Sequence, residues 1–255
     1  MRFSANLGFL WADLPLPDAI HAAAAAGFDA VECHWPYDTD PGAVRAALGE
    51  TGLALLGLNT RRGDPAAGDF GLSALPGREA EAIEAIDEAI AYARAVGAGH
   101  VHVMAGNASG AAARASFEGA LRHACRAAAP FGIAIVIEPL NAHDAPGYFL
   151  KNTAQAIEII ESIGAPNLNL MFDCYHVGRT EGAVEARLRA LLPKVGHIQF
   201  AAVPDRGPPD HGAVDYPRLF QVIAGLGWDR PLGAEYRPGG DTMATLGWLA
   251  AARRI

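Results

Sequence analysis

The feature that most constrains this chain is a regular alternation of short strand-like segments with longer segments of helical spacing. The alternation repeats eight times over 255 residues, and such repetition is typical of parallel strands joined by helices. The predicted strands are Arg2–Leu7, Ala30–His34, Ala54–Asn59, His100–Met104, Ile133–Glu138, Leu168–Asp173, Val195–Phe200 and Pro231–Tyr236. Among the helices predicted between and after them are Pro17–Ala26, Pro41–Glu50, Arg78–Val96, Glu181–Leu192, Tyr216–Leu226 and Asp241–Ala252. Two architectures accommodate this pattern, a closed barrel and an open doubly wound sheet.

The segment after the first strand favours the barrel. An open sheet that binds nucleotides normally has a glycine-rich phosphate turn there, whereas this chain continues with Gly8-Phe9-Leu10-Trp11-Ala12. The length is close to the roughly 250 residues typical of one barrel, and no linker or shift in composition divides the chain. We therefore expect an α/β fold consisting of a single (β/α)8 TIM barrel domain over residues 1–255, with Arg61–Gly77 as a loop at its mouth.

Composition excludes several classes of function. The chain has 28 acidic against 20 basic residues, for a net charge of -8. Because no run of Lys and Arg offsets this acidity, we expect no nucleic-acid partner. Three cysteines without a closely spaced pair indicate reduced thiols rather than disulfides or a zinc site. The absence of a signal-type N-terminus and of a long apolar run predicts a cytoplasmic protein with no membrane partner.

Four oxygen-bearing side chains end the last four predicted strands. They are Glu138, Asp173, Gln199 and Glu235. In a barrel these positions meet at the C-terminal face, where the chemistry of the fold takes place. A carboxylate next to a buried strand is costly unless it is paired or bound to a cation. The pattern therefore predicts a divalent metal site, and oxygen ligands without a cysteine set favour Mg2+ or Mn2+. The alternative for any one of these acids is a role as a helix cap or loop residue.

Other polar residues leave alternatives open. His197 shares a strand face with Gln199, so it is either a competing ligand or a hydrogen-bonded core histidine. His102 has the same two interpretations, in the pocket or in the core. Arg237 precedes Gly239 and Gly240, and this segment is either an anion site or a capped loop.

Several motifs together resemble one known family. They are Glu138-Pro139-Leu140-Asn141, Phe172-Asp173-Cys174-Tyr175-His176, Gly196-His197-Ile198-Gln199, Val203-Pro204-Asp205-Arg206 and Gly233-Ala234-Glu235-Tyr236-Arg237-Pro238. The chain resembles the hydroxypyruvate isomerase family of the xylose-isomerase-like barrels, and the similarity extends to Ser4–Leu7 and Val31–Asp38. It departs from the family pattern at Val177-Gly178 and at residues 211–216, which we expect to lie beside the substrate pocket.

The resemblance implies a role for each site residue. Glu138 and Glu235 bind the metal and exchange the substrate proton, Asp173 and Gln199 complete the metal shell, and His176 and Arg206 bind substrate. It also implies a metal-dependent isomerase that interconverts the aldehyde and ketone forms of a small hydroxy-oxo acid, of the hydroxypyruvate and tartronate semialdehyde type, through an enediolate.

Four alternatives remain at this point. Within the same class they are a four-carbon 2-oxo acid isomerase, whose subgroup Pro146-Gly147-Tyr148 resembles, and a ketose 3-epimerase acting on a sugar. Outside that class they are an abasic-site endonuclease of the same superfamily and a non-catalytic ligand-binding barrel. Barrels of this type often pair, so a homodimer with Trp11 or Trp35 at the contact is a further expectation.

Overall fold

Nine parallel strands form one sheet that curls into a nearly closed barrel surrounded by helices. The structure is a computed structural model and describes residues 1–254. The strands in that range are β1 (Phe3–Asn6), β2 (Ala30–Glu32), β3 (Ala54–Leu55), β4 (Gly57–Asn59), β5 (His100–His102), β6 (Ala134–Ile137), β7 (Leu168–Asp173), β8 (Val195–Phe200) and β9 (Leu232–Ala234). Their order in the sheet is β3-β2-β1-β9-β8-β7-β6-β5-β4. The predicted TIM barrel is confirmed.

The barrel closes at its third position, where one predicted strand is divided in two. The segment Ala54–Asn59 forms β3 and β4 with Leu56 between them. β3 pairs with β2, and β4 pairs with β5. Leu56 links the two edges, because its N–H donates to the Val31 carbonyl at 2.8 Å and its own carbonyl accepts from the His100 N–H at 2.9 Å. The nine strands therefore occupy eight positions around the barrel.

The helices lie between the strands as the alternation predicted. They are α1 (Leu16–Ala25), α2 (Pro41–Thr51), α3 (Glu79–Val96), α4 (Gly110–Ala128), α5 (Thr153–Ile163), α6 (Cys174–Thr180), α7 (Val184–Leu191), α8 (Tyr216–Gly225) and α9 (Gly247–Ala252). Helix α5 begins where the Asn152 side chain accepts the Gln155 N–H, and it ends at Gly164 in the left-handed conformation. None of the helices in residues 1–254 is long and apolar enough to cross a membrane.

One helix of the structure was not predicted, and two predicted helices differ from the structure. The helix that was not predicted is α6, because most residues of Cys-Tyr-His-Val-Gly-Arg-Thr have weak helix propensity. The predicted helix Glu181–Leu192 is consequently reduced to α7. The final predicted helix, Asp241–Ala252, is a 3-10 turn at Met243–Thr245 followed by α9.

The two tryptophans proposed for a dimer contact have partners inside the chain. Trp11 is buried, with its ring edge-to-face against Phe28. The Trp35 indole N–H donates to the Thr60 carbonyl at 3.1 Å, and the Arg62 guanidinium lies over its ring. Because Trp11 is buried within its own chain, its expected place at a dimer contact was wrong, and the homodimer stays a prediction.

Candidate active site

A cavity of about 370 Å³ opens at the C-terminal ends of the strands. Four of the six residues predicted for the site line it, namely Glu138, His176, Arg206 and Glu235. Of the departures from the family pattern, Gly178 and the segment 213–215 line a separate cavity of about 710 Å³ beside α6, α7 and α8. They do not line the first cavity, and their place beside the substrate pocket stays a prediction.

An acidic cluster lies at the base of the first cavity. Glu138 follows β6, Asp173 ends β7 and Glu235 follows β9. One oxygen of each carboxylate and one nitrogen of the His176 ring lie within 4.8 Å of one another. All four residues are buried, so the carboxylates repel one another with little screening by water.

Three buried oxygen atoms around this cluster lack a hydrogen-bond partner among residues 1–254. They are Glu138 Oε1, Asp173 Oδ2 and Gln199 Oε1. All three are acceptors, and buried acceptors without donors are uncommon in folded proteins. Only one oxygen of the Asp173 carboxylate lacks a partner, because the other, Oδ1, caps α6 by accepting the Tyr175 N–H at 2.6 Å. A set of oxygen atoms without donors fits a hard divalent cation.

Glu235 is held differently from the other two acids. Its Oε1 accepts from Asn6 Nδ2 at 2.9 Å and lies 3.1 Å from His34 Nε2. Its Oε2 lies 2.5 Å from the guanidinium of Arg206. Asn6 ends β1 and His34 follows β2, so both ends of the chain contribute to this carboxylate.

Arg206 supplies the buried positive charge of the site. Besides Glu235, its guanidinium lies 3.5 Å from Asp144 and 3.9 Å from Asp173, and it is stacked near the rings of Phe9 and Tyr175. Its backbone has φ = 60°, a left-handed conformation that a non-glycine residue adopts only when its surroundings enforce it. The loop after β8 is thus strained in a way that brings this side chain into the cluster.

The ionisation of the three acids differs with their surroundings. Burial and the neighbouring charges of Glu235 and Asp173 raise the pKa of Glu138 well above its usual range. Burial and the charge of Glu235 raise the pKa of Asp173 to about 7. For Glu235, burial also acts to raise the pKa, but Arg206 and His34 outweigh it and the pKa is lowered. Three ionised carboxylates would carry more negative charge than Arg206 balances, so in the absence of a further cation Glu138 and part of Asp173 hold their protons.

The hydrogen bonds of His176 assign its tautomer. The backbone N–H of Asn141 can only donate, and it lies 2.9 Å from His176 Nδ1, so Nδ1 accepts and the proton of the neutral ring is on Nε2. Burial and the charge of Arg206 lower the pKa of His176 to about 3, which keeps the ring neutral. Nε2 lies 3.9 Å from Glu138 Oε1 and 3.8 Å from Asp173 Oδ2. His176 therefore presents an N–H donor to the cluster rather than a lone pair for a metal.

The structure also resolves the alternatives for the other histidines. His197 Nε2 lies 2.9 Å from a carboxylate oxygen of Glu32, so this nitrogen is engaged and does not compete with Gln199. His102 is buried and lines the cavity, with Nδ1 3.7 Å from Glu138 Oε2. Of its two interpretations, the one that places it in the pocket describes it better.

Sequence reasoning missed several groups that orient the site. They are Asn6, Glu32, His34, Asn141 and Asp144. The first three could have been found from the sequence, because they end or follow the first two strands. Location at a strand end, the criterion that identified the four predicted oxygen ligands, applies equally to them.

Comparisons with known proteins find relatives that match nearly the whole chain. The family model described as xylose isomerase-like TIM barrel matches residues 20–252. The 2-oxo-tetronate isomerase of Cupriavidus necator is 44% identical over 252 residues, covering 97% of each chain. The hydroxypyruvate isomerase of Escherichia coli is 35% identical over 253 residues, covering 98% of each chain. A crystal structure of AP endonuclease, family 2, from Brucella melitensis is 35% identical and superimposes with a TM-score of 0.94 over 98% of each chain.

Proposed function

Because this chain belongs to the xylose isomerase-like TIM barrel family, we propose that it is an isomerase that interconverts the aldehyde and ketone forms of a small hydroxy-oxo acid. Relatives named 2-oxo-tetronate isomerase and hydroxypyruvate isomerase, each aligned over nearly its whole length, support this class of reaction. The names of these relatives support a small hydroxy-oxo acid as the substrate.

One observation carries the proposal, namely the three buried oxygens without donors on Glu138, Asp173 and Gln199. These atoms and Glu235 would hold a divalent ion, Mg2+ or Mn2+. When bound, such an ion supplies positive charge that stabilises negative charge on adjacent oxygens of the substrate.

The chain's own residues would carry out the proton transfer. In our proposal one of Glu138 and Glu235 removes the proton from the carbon between carbonyl and hydroxyl, which leaves an enediolate. Return of a proton to the neighbouring carbon, together with transfer of the hydroxyl proton to the former carbonyl oxygen, completes the isomerisation. The His176 Nε2–H donates to a substrate oxygen, and Arg206 balances the negative charge that develops.

The experiment that tests this proposal is a substrate screen on protein depleted of metal and then supplied with Mn2+ or Mg2+. The panel contains hydroxypyruvate, 2-oxo-tetronate and neutral ketoses, and proton NMR in D2O follows both product and the incorporation of deuterium. We expect activity on an acid only after metal is restored. Deuterium in the product identifies proton transfer through an enediolate.

The variants Glu138→Gln and Glu235→Gln test the two glutamates. Each keeps the shape of the side chain but cannot accept the proton as a carboxylate does, so we expect a loss of more than about 100-fold in kcat. Glu161→Gln, at an exposed position on α5, is the matched control and should retain the parent rate. Near-normal rates in both site variants would refute their assignment as proton-transfer residues.

Two other functions are distinguished by the same screen. Turnover of neutral ketoses with inversion at one carbon, and none of the acids, would indicate a 3-epimerase. An abasic-site endonuclease is suggested by the name of the Brucella structure, but a net charge of -8 opposes binding to DNA phosphates. Salt-dependent binding and cleavage of abasic DNA would support that alternative.

A further inference from the structure

The amide of Gln199 has two chemically different ends, and only one of them is satisfied. Its Nε2 donates to Glu32 Oε2 at 2.9 Å and lies 3.4 Å from Glu235 Oε1. Its Oε1 is buried without a partner among the described residues. A flipped amide would place its oxygen against two carboxylates, which is repulsive. The carboxylate of Glu32 therefore decides which end of the amide remains for an ion.

Glu32 is itself fixed by other donors. The residue ends β2 and is buried. Its Oε1 accepts from Ser4 Oγ at 3.0 Å, and its Oε2 lies 2.9 Å from His197 Nε2. With Gln199, three side chains from β1 and β8 converge on one carboxylate. Such convergence leaves Glu32 little freedom to turn, and the same is then true of the amide that it holds.

Gly233 packs against this network of Glu32, Gln199 and His197. A Cβ atom on Gly233 in β9 would lie 2.2 Å from Glu32 Oε1, 2.8 Å from Gln199 Cγ and 2.9 Å from His197 Nε2. These distances are too short for real contacts, and φ of this glycine is not in the left-handed region. The position therefore requires glycine for space alone, because any side chain would displace the network.

From these contacts we infer that Glu32 is a positioning residue, which turns Gln199 Oε1 toward the divalent ion while Gly233 leaves room for the arrangement. The inference rests on the proposed metal site and assigns a function to residues that neither bind the ion nor contact the substrate. Partners that orient a metal ligand typically change metal affinity by about 10–100-fold when they are removed.

The experiment is a double-mutant cycle on the full chain, read as Mn2+ affinity from the electron paramagnetic resonance signal of free Mn2+. Glu32→Met removes the acceptor, and Gly233→Ala crowds Glu32, Gln199 and His197 while leaving the charge of Glu32 in place. We expect each to weaken Mn2+ binding by about 10–100-fold in the parent. In a Gln199→Met background, which has no amide to orient, each should change the affinity by no more than about twofold.

Two results would overturn the inference, and they are distinguishable. A parent protein that binds no Mn2+ refutes the metal site and with it this role for Glu32. A parent that binds Mn2+, with equal losses in both backgrounds, leaves the metal site intact but shows that Glu32 acts through its charge or through general packing. Far-ultraviolet circular dichroism of each variant verifies folding, and if Glu32→Met does not fold, Gly233→Ala completes the same cycle.

Discussion

Replacement of the buried Arg206 side chain should strongly destabilise the metal-free protein. Arg206→Met keeps most of the aliphatic volume but leaves Glu235, Asp173 and Asp144 without the guanidinium that lies within 2.5–3.9 Å of them. Loss of one partner from a buried ion pair costs about 3–5 kcal/mol. For a chain of this length about 1 kcal/mol corresponds to about 2–4 °C, so the decrease in Tm should be about 6–20 °C.

The decrease in Tm caused by Arg206→Met should also depend on pH, and the surroundings of Glu235 determine its direction. In the parent protein Arg206 helps to hold the pKa of Glu235 below its usual value, so this carboxylate stabilises the fold above its unfolded pKa and ceases to do so as pH falls through the folded pKa. Without Arg206 we expect burial of Glu235 to outweigh its remaining contacts, which would raise the pKa of this carboxylate. It then takes up a proton at low pH and destabilises the fold as pH rises. The difference in Tm between variant and parent should therefore be larger at pH 8 than at pH 5.

The assay is thermal unfolding followed by circular dichroism in the presence of a chelator. Arg189→Met is the matched control, because Arg189 pairs with Glu185 at 3.1 Å on an exposed helix face, and such pairs contribute no more than about 1 kcal/mol. Addition of Mn2+ should narrow the gap between Arg206→Met and the parent, since the ion replaces part of the lost positive charge. A Tm of Arg206→Met within about 2 °C of the control at pH 8 would refute this account of the cluster.

Three further predictions follow from the same geometry. The increase in Tm on adding Mn2+ should be larger at pH 8 than at pH 5, because the ion must displace protons from a cluster in which the pKa of Asp173 is about 7; an increase independent of pH would contradict it. Gly8→Ala should lower kcat more than about tenfold, because its Cβ would lie 2.1 Å from His34 Nδ1, whereas Gly119→Ala, with no atom within 4 Å, is the silent control; equal rates would contradict it. Arg237 lines the cavity and forms no ion pair in the part of the chain described. Arg237→Met should therefore raise KM for the acid substrate more than for a neutral ketose of equal length. Equal changes in the two KM values would show that Arg237 does not recognise the carboxylate.

Most of the fold was predictable because its signal is local. Each strand is a short run bounded by turn residues, and the eight predicted strands fall at the eight barrel positions. The division of the third strand at Leu56 was not predictable, because it arises where two sheet edges meet. Helix α6 was missed for a related reason. Its weak helix formers are held by the cap that Asp173 provides and by burial of Cys174–Val177 against the barrel, and neither effect is visible in helical periodicity.

The site was predictable to the extent that its residues end strands. That rule found Glu138, Asp173 and Glu235, and the structure brings these three acids together with His176. The orientation of each group was not predictable. The tautomer of His176, for example, depends on a backbone N–H of Asn141 that no spacing in the sequence associates with it.

The contact between the two ends of the chain has a consequence for how the protein folds. The acids belong to the second half of the sequence, whereas Asn6, which donates to Glu235, lies 229 residues away. The two meet when β1 pairs with β9 in the register Ser4↔Gly233. A contact of such separation is entropically costly until the intervening strands are in place. Uptake of a divalent ion during refolding would therefore report closure of the barrel, and not the earlier formation of its strand–helix units.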